Sequence, residues 1–307
     1  MRAELTGRAP ASLTSWWLGW AEDGTLVMIR LAEVSGIVVA GGLAGFGKTM
    51  LVAHLLGQLT PSPAVQLVLI DGKGGPDYDH LFSRAWLSAK DDLAEVRDLL
   101  RQVHRLMVDR QGAIAQVLGV TDAWHLGRSP RWPLVVVVID EAHTFFHERK
   151  GTSPEVKAHN ALVAELSRLV EELIRKGRNV AIQVMLLTQR ATGDAIPTRI
   201  RDNCQVAISF ATRTVDGAVA ALGEEIRQHP DASPVLLNDP AYVGVAVTSL
   251  PGRPGFHRGR TPQVDHHQVA AVIRATAGLR ADPAVLLAEQ APGLGVVPGM
   301  VAPGDAA

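Results

Sequence analysis

Apolar residues recur along this chain in two rhythms, one of strands and one of helices. Leu134-Val-Val-Val-Val-Ile139 is an unbroken β-branched run, which predicts a strand covered on both faces at the centre of a parallel sheet. Ile37 to Ala40, Val65 to Ile70, Val180 to Leu187 and Gln205 to Phe210 predict further strands, and Val243 to Thr248 an edge strand. Between them the period becomes helical. Leu51, Val52, Leu55, Leu56 and Leu59 share one side of a segment opening at Lys48, and Leu93, Val96, Leu100, Val103 and Met107 do so from about Asp91 to Val108. A third stripe, Leu162, Leu166, Leu169, Val170 and Leu173, follows Ser153 as N-cap, Pro154 at the first helical position and Glu155 in the first turn, with Gly177 as its stop. Strands alternating with helices predict an α/β fold, a mostly parallel sheet with helices on both faces. Ahead of it, Leu13 to Leu31 reads as a β-hairpin around an Asp23-Gly24 turn, its Trp16, Trp17 and Trp20 packing on the neighbouring domain rather than offering nucleobases a stacking platform.

Composition narrows the picture. With 307 residues and 47% hydrophobic content, the chain can hold one large α/β domain with appendages and needs no covalent staples. Lysine and arginine number 30 against 31 acidic residues, a net charge of −1, so any contact with a polyanion must come from a local patch or from several assembled copies. Arg97, Arg101 and Arg105 form a basic helical stripe, but Glu95, Asp98 and Asp109 dilute it into a solvated face. A lone cysteine, Cys204, excludes an intrachain disulfide framework and suits a reducing compartment. Apolar runs fall far short of the ~18 residues that span a bilayer, and the first residues do not read as a signal peptide, so a cytoplasmic location is expected. Residues 1–12 are expected to be flexible, 13–250 to form one domain with its hairpin at 13–35, and 251–307 to be a Pro/Gly-rich extension, disordered from about Ala291.

The chemistry lies where strands end. Gly42-Leu43-Ala44-Gly45-Phe46-Gly47-Lys48-Thr49 follows the run Ile37 to Ala40 and precedes a helix, which is the Walker A arrangement. Glycines let successive N–H groups face phosphates, Lys48 sets a point charge on the β/γ oxygens, Thr49 offers its hydroxyl to Mg²⁺, and the helix start adds its positive end. Asp140 and Glu141 close the buried strand as a Walker B pair: Asp140 to complete the metal shell opposite Thr49, Glu141 to orient and deprotonate the attacking water. Gln189, in Thr188-Gln189-Arg190 at the tip of the next strand, is placed to sense a γ-phosphate. ATP and Mg²⁺ are therefore the expected ligands. With a strand between the two motifs in sequence and a glutamate after the Walker B aspartate, the chain resembles RecA-like P-loop NTPases of the additional-strand, catalytic-glutamate type. Asp140-Glu141-Ala142-His143 also spells the DEAH box of RNA helicases, but too little chain follows Phe210 for their second domain.

These residues, with four further stretches, resemble the motor domain of the FtsK/SpoIIIE family of DNA translocases. The stretches are the hairpin from Leu18-Gly19 to Leu31-Ala32 running into Val39-Ala40-Gly41-Gly42, the segment Leu69-Ile70-Asp71-Gly72-Lys73-Gly74-Gly75, the Walker B end Ile139-Asp140-Glu141, and Gly177-Arg178-Asn179 through Thr188-Gln189-Arg190 to Ile200-Arg201-Asp202-Asn203. Roughly residues 13 to 250 are covered. Leu43-Ala44-Gly45-Phe46 stands where the family usually shows Ala-Thr-Gly-Ser, putting a bulky Phe46 beside the phosphates; Ala181 and Gln183 also depart from the pattern.

The resemblance implies an ATP-hydrolysing translocase on double-stranded DNA, of the kind used in conjugative transfer of plasmids and integrative elements. It further implies a homo-oligomer, a hexameric ring, in which a neighbour donates an arginine to each nucleotide; Arg178, Arg199 and Arg201 are the candidates for this finger or for DNA contact. A membrane-anchored transfer partner would hold the protein at a surface. Two alternatives stand beside this reading: a non-motor ATP switch or adaptor docked on a transfer or division complex, and a single-strand coupling ATPase.

Overall fold

The strand order decides which loops share an edge of the sheet. The computed structural model describes residues 15–292, apart from residues 77 and 191 and the side chain of His266. The segments expected to be flexible, 1–12, and most of the expected disordered tail, 293–307, lie outside the described residues. In chain order the elements are β1 (Ser15–Ala21), β2 (Leu26–Arg30), β3 (Gly36–Ala40), α1 (Lys48–Leu59), β4 (Val65–Asp71), α2 (Asp79–Phe82), β5 (Ala85–Ala89), α3 (Leu93–Leu118), β6 (Leu134–Asp140) and α4 (His143–Phe146). There follow α5 (Pro154–Lys176), β7 (Ile182–Thr188), α6 (Thr198–Arg201), β8 (Val206–Ser209), α7 (Val215–Leu222), β9 (Val245–Leu250), β10 (Arg253–Arg260), α8 (His266–Ala275) and α9 (Pro283–Gln290).

A 10-stranded sheet runs in the order β2-β1-β10-β9-β8-β3-β7-β6-β4-β5. From β8 to β5 every pairing is parallel, and from β8 outward to β2 every pairing is antiparallel. Helices cover both faces, α1 with α8 on one and α3 with α5 on the other. β7 lies between β3 and β6, so an extra strand separates the Walker A strand from the Walker B strand. This is the additional-strand α/β architecture that the sequence led us to expect.

The parallel half follows from its apolar runs. β4, β6 and β7 are buried at every position, as strands covered by helices on both faces must be. α5 begins where Ser153 accepts from the Val156 N–H, and Gly177 ends it. A Cβ at Gly177 would lie 2.5 Å from the Leu173 carbonyl oxygen and 2.8 Å from that of Ile182, so close backbone approach requires glycine there. α3 runs ten residues past the expected end, to Leu118, because a buried Arg110 interrupts the apolar stripe without breaking the helix. Its guanidinium donates to the carbonyls of Val180 (2.9 Å) and Pro133 (3.0 Å) and stands over the Trp132 ring. The helix stops at Gly119, with φ +69°. β5 was not anticipated; the buried Arg84 before it donates to the carbonyls of Thr60, Ser62 and Val65, clamping the α1–β4 turn.

The antiparallel half corrects two expectations. β9 is not an edge strand, since it pairs with β8 on one side and β10 on the other. Residues 253–260, assigned from composition to the C-terminal extension, form β10 inside the sheet and carry the hairpin through Trp20↔Arg260. Pro254 and Gly255 sit in the register irregularity between Arg253 and His257, and Gly259 packs closely, its Cβ position lying 3.2 Å from the Val27 side chain and 3.4 Å from the Trp20 carbonyl. Residues that read as loop formers therefore serve a bulged strand. Of the hairpin's three tryptophans, Trp16 is fully buried, while Trp17 and Trp20 are half-buried and meet edge to face at 4.7 Å. Leu162, expected in the buried stripe of α5, is likewise only half-buried.

Candidate nucleotide site

The parallel strands present their carboxyl ends at one edge, where open α/β sheets bind ligands. β3 stops at Ala40 and the chain turns through 41–47 before α1 opens at Lys48. Gly45 and Gly47 hold φ of +80° and +118°, backbone that a side chain would strain. The loop is tied on three sides. Gly41 N–H donates to Thr188 O (3.1 Å), Gly42 N–H to Ala211 O (3.0 Å), and Phe46 O accepts from Gly244 N–H (3.1 Å). Phe46 stays in the loop, its half-buried side chain packed against both apolar clusters of the chain, while Ala44 and Gly45 form the exposed apex.

Lys48 reaches the end of β6. Its Nζ lies 2.8 Å from Glu141 Oε1 and 3.4 Å from Asp140 Oδ1, and the three residues are 8%, 6% and 5% exposed. One cation thus faces two carboxylates in a site where charge interactions are strong. The second Glu141 oxygen accepts from the Gln189 backbone N–H (3.1 Å) and lies 3.3 Å from His143 Nδ1. Glu141 holds φ +46°, an uncommon backbone for a residue with a side chain, and Ala142 N–H donates to Leu187 O (2.8 Å) to fix the turn. Such local strain, about 1–3 kcal/mol, clusters at functional sites.

Gly72, in the Asp71-Gly72-Lys73-Gly74-Gly75 stretch, packs on the same turn. A Cβ there would sit 2.7 Å from Asp140 O and 2.9 Å from Glu141 O, and Gly72 N–H donates to Asp140 O (3.0 Å). Buried Tyr78 stands beside these acids; burial first, then the negative charge of Asp140, pushes its phenol well above the ordinary value. Burial, together with Arg190 and Lys48, lowers the pKa of His143 against the opposing pull of Glu141. No motif signalled Tyr78, because its approach depends on tertiary packing, whereas His143 had appeared in the Asp140-Glu141-Ala142-His143 spelling two residues after Glu141. Asp140 Oδ1 is buried without a hydrogen-bond donor. A carboxylate oxygen so placed, with an exposed Thr49 hydroxyl at the start of α1, fits the all-oxygen donor set that Mg²⁺ prefers.

Sequence analysis expected Lys48, Asp140, Glu141 and Gln189 to meet, and the fold places them on adjoining strand ends, although Gln189 contacts Glu141 through its backbone and its side chain is exposed. Arg178, Arg199 and Arg201 are elsewhere. They precede β7 and β8, at the amino edge of the sheet, opposite the site. Arg178 donates to Ala32 O (2.8 Å) and Asp122 (2.9 Å), Arg199 pairs with Glu171 (3.2 Å), and Arg201 donates to Ala220 O (3.1 Å).

No protein-family profile matches the chain, and no curated protein matches its sequence. Solved structures do match. The pCW3 conjugation coupling protein TcpA, in a monomer form with ATPγS, superposes with a TM-score of 0.69 at 15% identity over 88% of this chain and 72% of that one. The chain has the fold of a P-loop ATPase. The cytoplasmic domain of the Thermomonospora curvata type VII secretion ATPase EccC gives a TM-score of 0.63 at 20% identity, over 88% of this chain and 31% of that one. ATPases 2 and 3 of EssC from Geobacillus thermodenitrificans give 0.62 at 14% identity, over 88% and 50%. This chain therefore spans half or less of the EccC and EssC chains it matches. The resemblance to FtsK/SpoIIIE motors, drawn from short motifs, holds at the level of the fold.

Proposed function

We propose that this chain is an ATP-hydrolysing motor of the FtsK/SpoIIIE type that moves double-stranded DNA, in plasmid or mobile-element transfer. The observation that carries the reading is the contact of Lys48, at the start of the helix after β3, with Glu141 and Asp140 at the carboxyl end of β6, two strands away, beside a glycine-bearing loop. In the chain as it stands, Lys48 is engaged by Glu141. A triphosphate in the loop offers Lys48 a more highly charged partner and frees one Glu141 oxygen to accept a proton from water. The Gln189 N–H keeps the other oxygen oriented. Mg²⁺, held by Thr49 and Asp140, would neutralise charge on the β/γ oxygens. Because Gln189 follows β7 directly and its N–H is bonded to Glu141, a change at Glu141 would be felt first at the end of β7.

In this reading the arginines at the amino edge serve a neighbouring copy. Arg178, Arg199 and Arg201 cannot reach their own nucleotide from the opposite side of the sheet, so a ring, hexameric in the family it resembles, would bring one of them to the next subunit's phosphates. Near-neutral net charge is compatible with DNA passing through such a ring, since copies of a few arginines accumulate in a channel. Among the described residues no helix is long and apolar enough to cross a membrane, and a membrane-anchored partner would supply any attachment.

ATPase turnover with and without duplex DNA, at low and moderate salt, tests the proposal. The motor reading requires duplex stimulation that weakens as salt rises. Preference for single strands would indicate a coupling ATPase, and indifference to any polymer an ATP switch. The shared fold with secretion ATPases favours a second reading, in which the moved polymer is a polypeptide; stimulation by an unfolded polypeptide and not by DNA would select it.

A further inference from the structure

Two sides of the loop 41–47 differ in chemistry. Towards β7 and β6 lie the carboxylates that meet Lys48. Towards β9, β10 and β1 lies a cavity of about 610 Å³, lined by Trp20, Gly47, Met50, Gly244, Thr261 and Gln263 among others. We propose that this cavity takes the purine nucleoside of the bound nucleotide, with Trp20 as the surface on which the base stacks and Gln263 as the group that reads its edge. The inference rests on the nucleotide reading above and adds to it the residues that choose the base.

Polarity of the bound chain is fixed by the loop. Its amides cradle α- and β-phosphates at the start of α1, and the γ end points to Lys48 and Glu141, so the nucleoside must leave on the other side of β3. The cavity there falls within the roughly 300–1,000 Å³ of small-molecule clefts and combines apolar and aromatic walls with a few polar groups. Trp20 is positioned before any ligand arrives. Trp17 packs edge-on against it, and Trp17 is itself fastened to α1, where its carbonyl accepts from Gln58 (2.9 Å) and His54 (2.9 Å). The opposite wall is equally fixed: Thr261 donates through both N–H (2.8 Å) and Oγ–H (3.0 Å) to Gly244 O, and Arg260 holds the carbonyls of Val243 (3.0 Å) and Ala241 (2.9 Å). Exposed Gln263 carries an amide able both to donate and to accept, which is what a purine edge demands. The segment that composition assigned to a loose extension thus supplies one wall of the cleft.

Photolabelling of the full chain with 8-azido-ATP and Mg²⁺, followed by peptide mapping, tests the placement. The proposal requires ATP-competed label on Trp20, Met50 or residues 260–263. Competed label confined to other peptides overturns it. Trp20→Ala should weaken ATP binding about tenfold or more, and Gln263→Ala, at an exposed position that does not threaten folding, should narrow the preference for ATP over CTP. Unchanged ATP affinity and unchanged base preference in these variants overturn the proposal as well. Failure of the native chain to take up Mg·ATP in calorimetry is a different result, which overturns the nucleotide reading itself together with this inference.

Discussion

The parallel and antiparallel halves of the sheet are built by different means. Strands β8, β3, β7, β6 and β4 are largely apolar runs buried under helices, and β5 closes this half as a half-buried edge. Beyond β9, which is itself almost wholly buried, strands β10, β1 and β2 rely on bulges, glycines and half-exposed positions; β2 alternates exposed and buried residues, and β10 has no fully buried position. The loop 41–47 sits at the seam, bonded to Thr188 and Ala211 from the parallel half and to Gly244 before β9. This difference suits the proposed division of labour, in which the parallel half would supply phosphate chemistry and the antiparallel half the wall for the rest of a nucleotide.

The sharpest way to isolate the first half is Glu141→Gln. It keeps the shape and the loop, so ATP binding is expected to persist while turnover falls by about 100-fold or more; native turnover in the variant would remove Glu141 from the chemistry. Next comes the joint between the halves. Burial holds His54, on α1 against Trp17, at a pKa of about 4, below its ordinary 6.5. The unfolded chain therefore takes up this proton first as pH falls, and stability should drop by up to about 3 kcal/mol between pH 6.5 and 4. Urea unfolding across that range measures the slope, and His54→Gln should flatten it.

Crowding gives a smaller contrast. Gly72→Ala forces a methyl against the Asp140 and Glu141 carbonyls at under 3 Å and should cost about 1–3 kcal/mol, whereas Gly259→Ala meets Val27 at 3.2 Å, a side chain able to yield, and should cost about 1 kcal/mol or less. Comparable losses would mean that the two halves are equally rigid. Smallest is Arg101→Ala on the surface of α3, whose bidentate pair with Glu165 is solvent-screened, so the melting temperature should be nearly unchanged.

How much was legible in the sequence divides along the same seam. β6 and α5 could be read directly, since continuous Val/Ile burial and a Ser-Pro-Glu cap each have one structural meaning. The extra length of α3 was hidden because Arg110 satisfies its charge on carbonyls that come from distant parts of the chain. β10 was hidden because Pro254, Gly255 and Gly259 signal loop locally, and only contact with β1 and β9 makes them strand; missing β10 also turned interior β9 into an expected edge. At the site, Lys48, Thr49, Asp140 and Glu141 were legible because their chemistry is tied to strand ends and one loop. The direction taken by Phe46, the approach of Tyr78 and the position of Trp20 were not, since each is decided by what packs beside it.

Calorimetric titration of the folded chain with ATP, with and without Mg²⁺, beside the Lys48→Ala variant, meets the central claim most directly. The account predicts saturable, magnesium-dependent uptake of one nucleotide per chain that the variant loses. No uptake by the native chain, or undiminished uptake by Lys48→Ala, would contradict it.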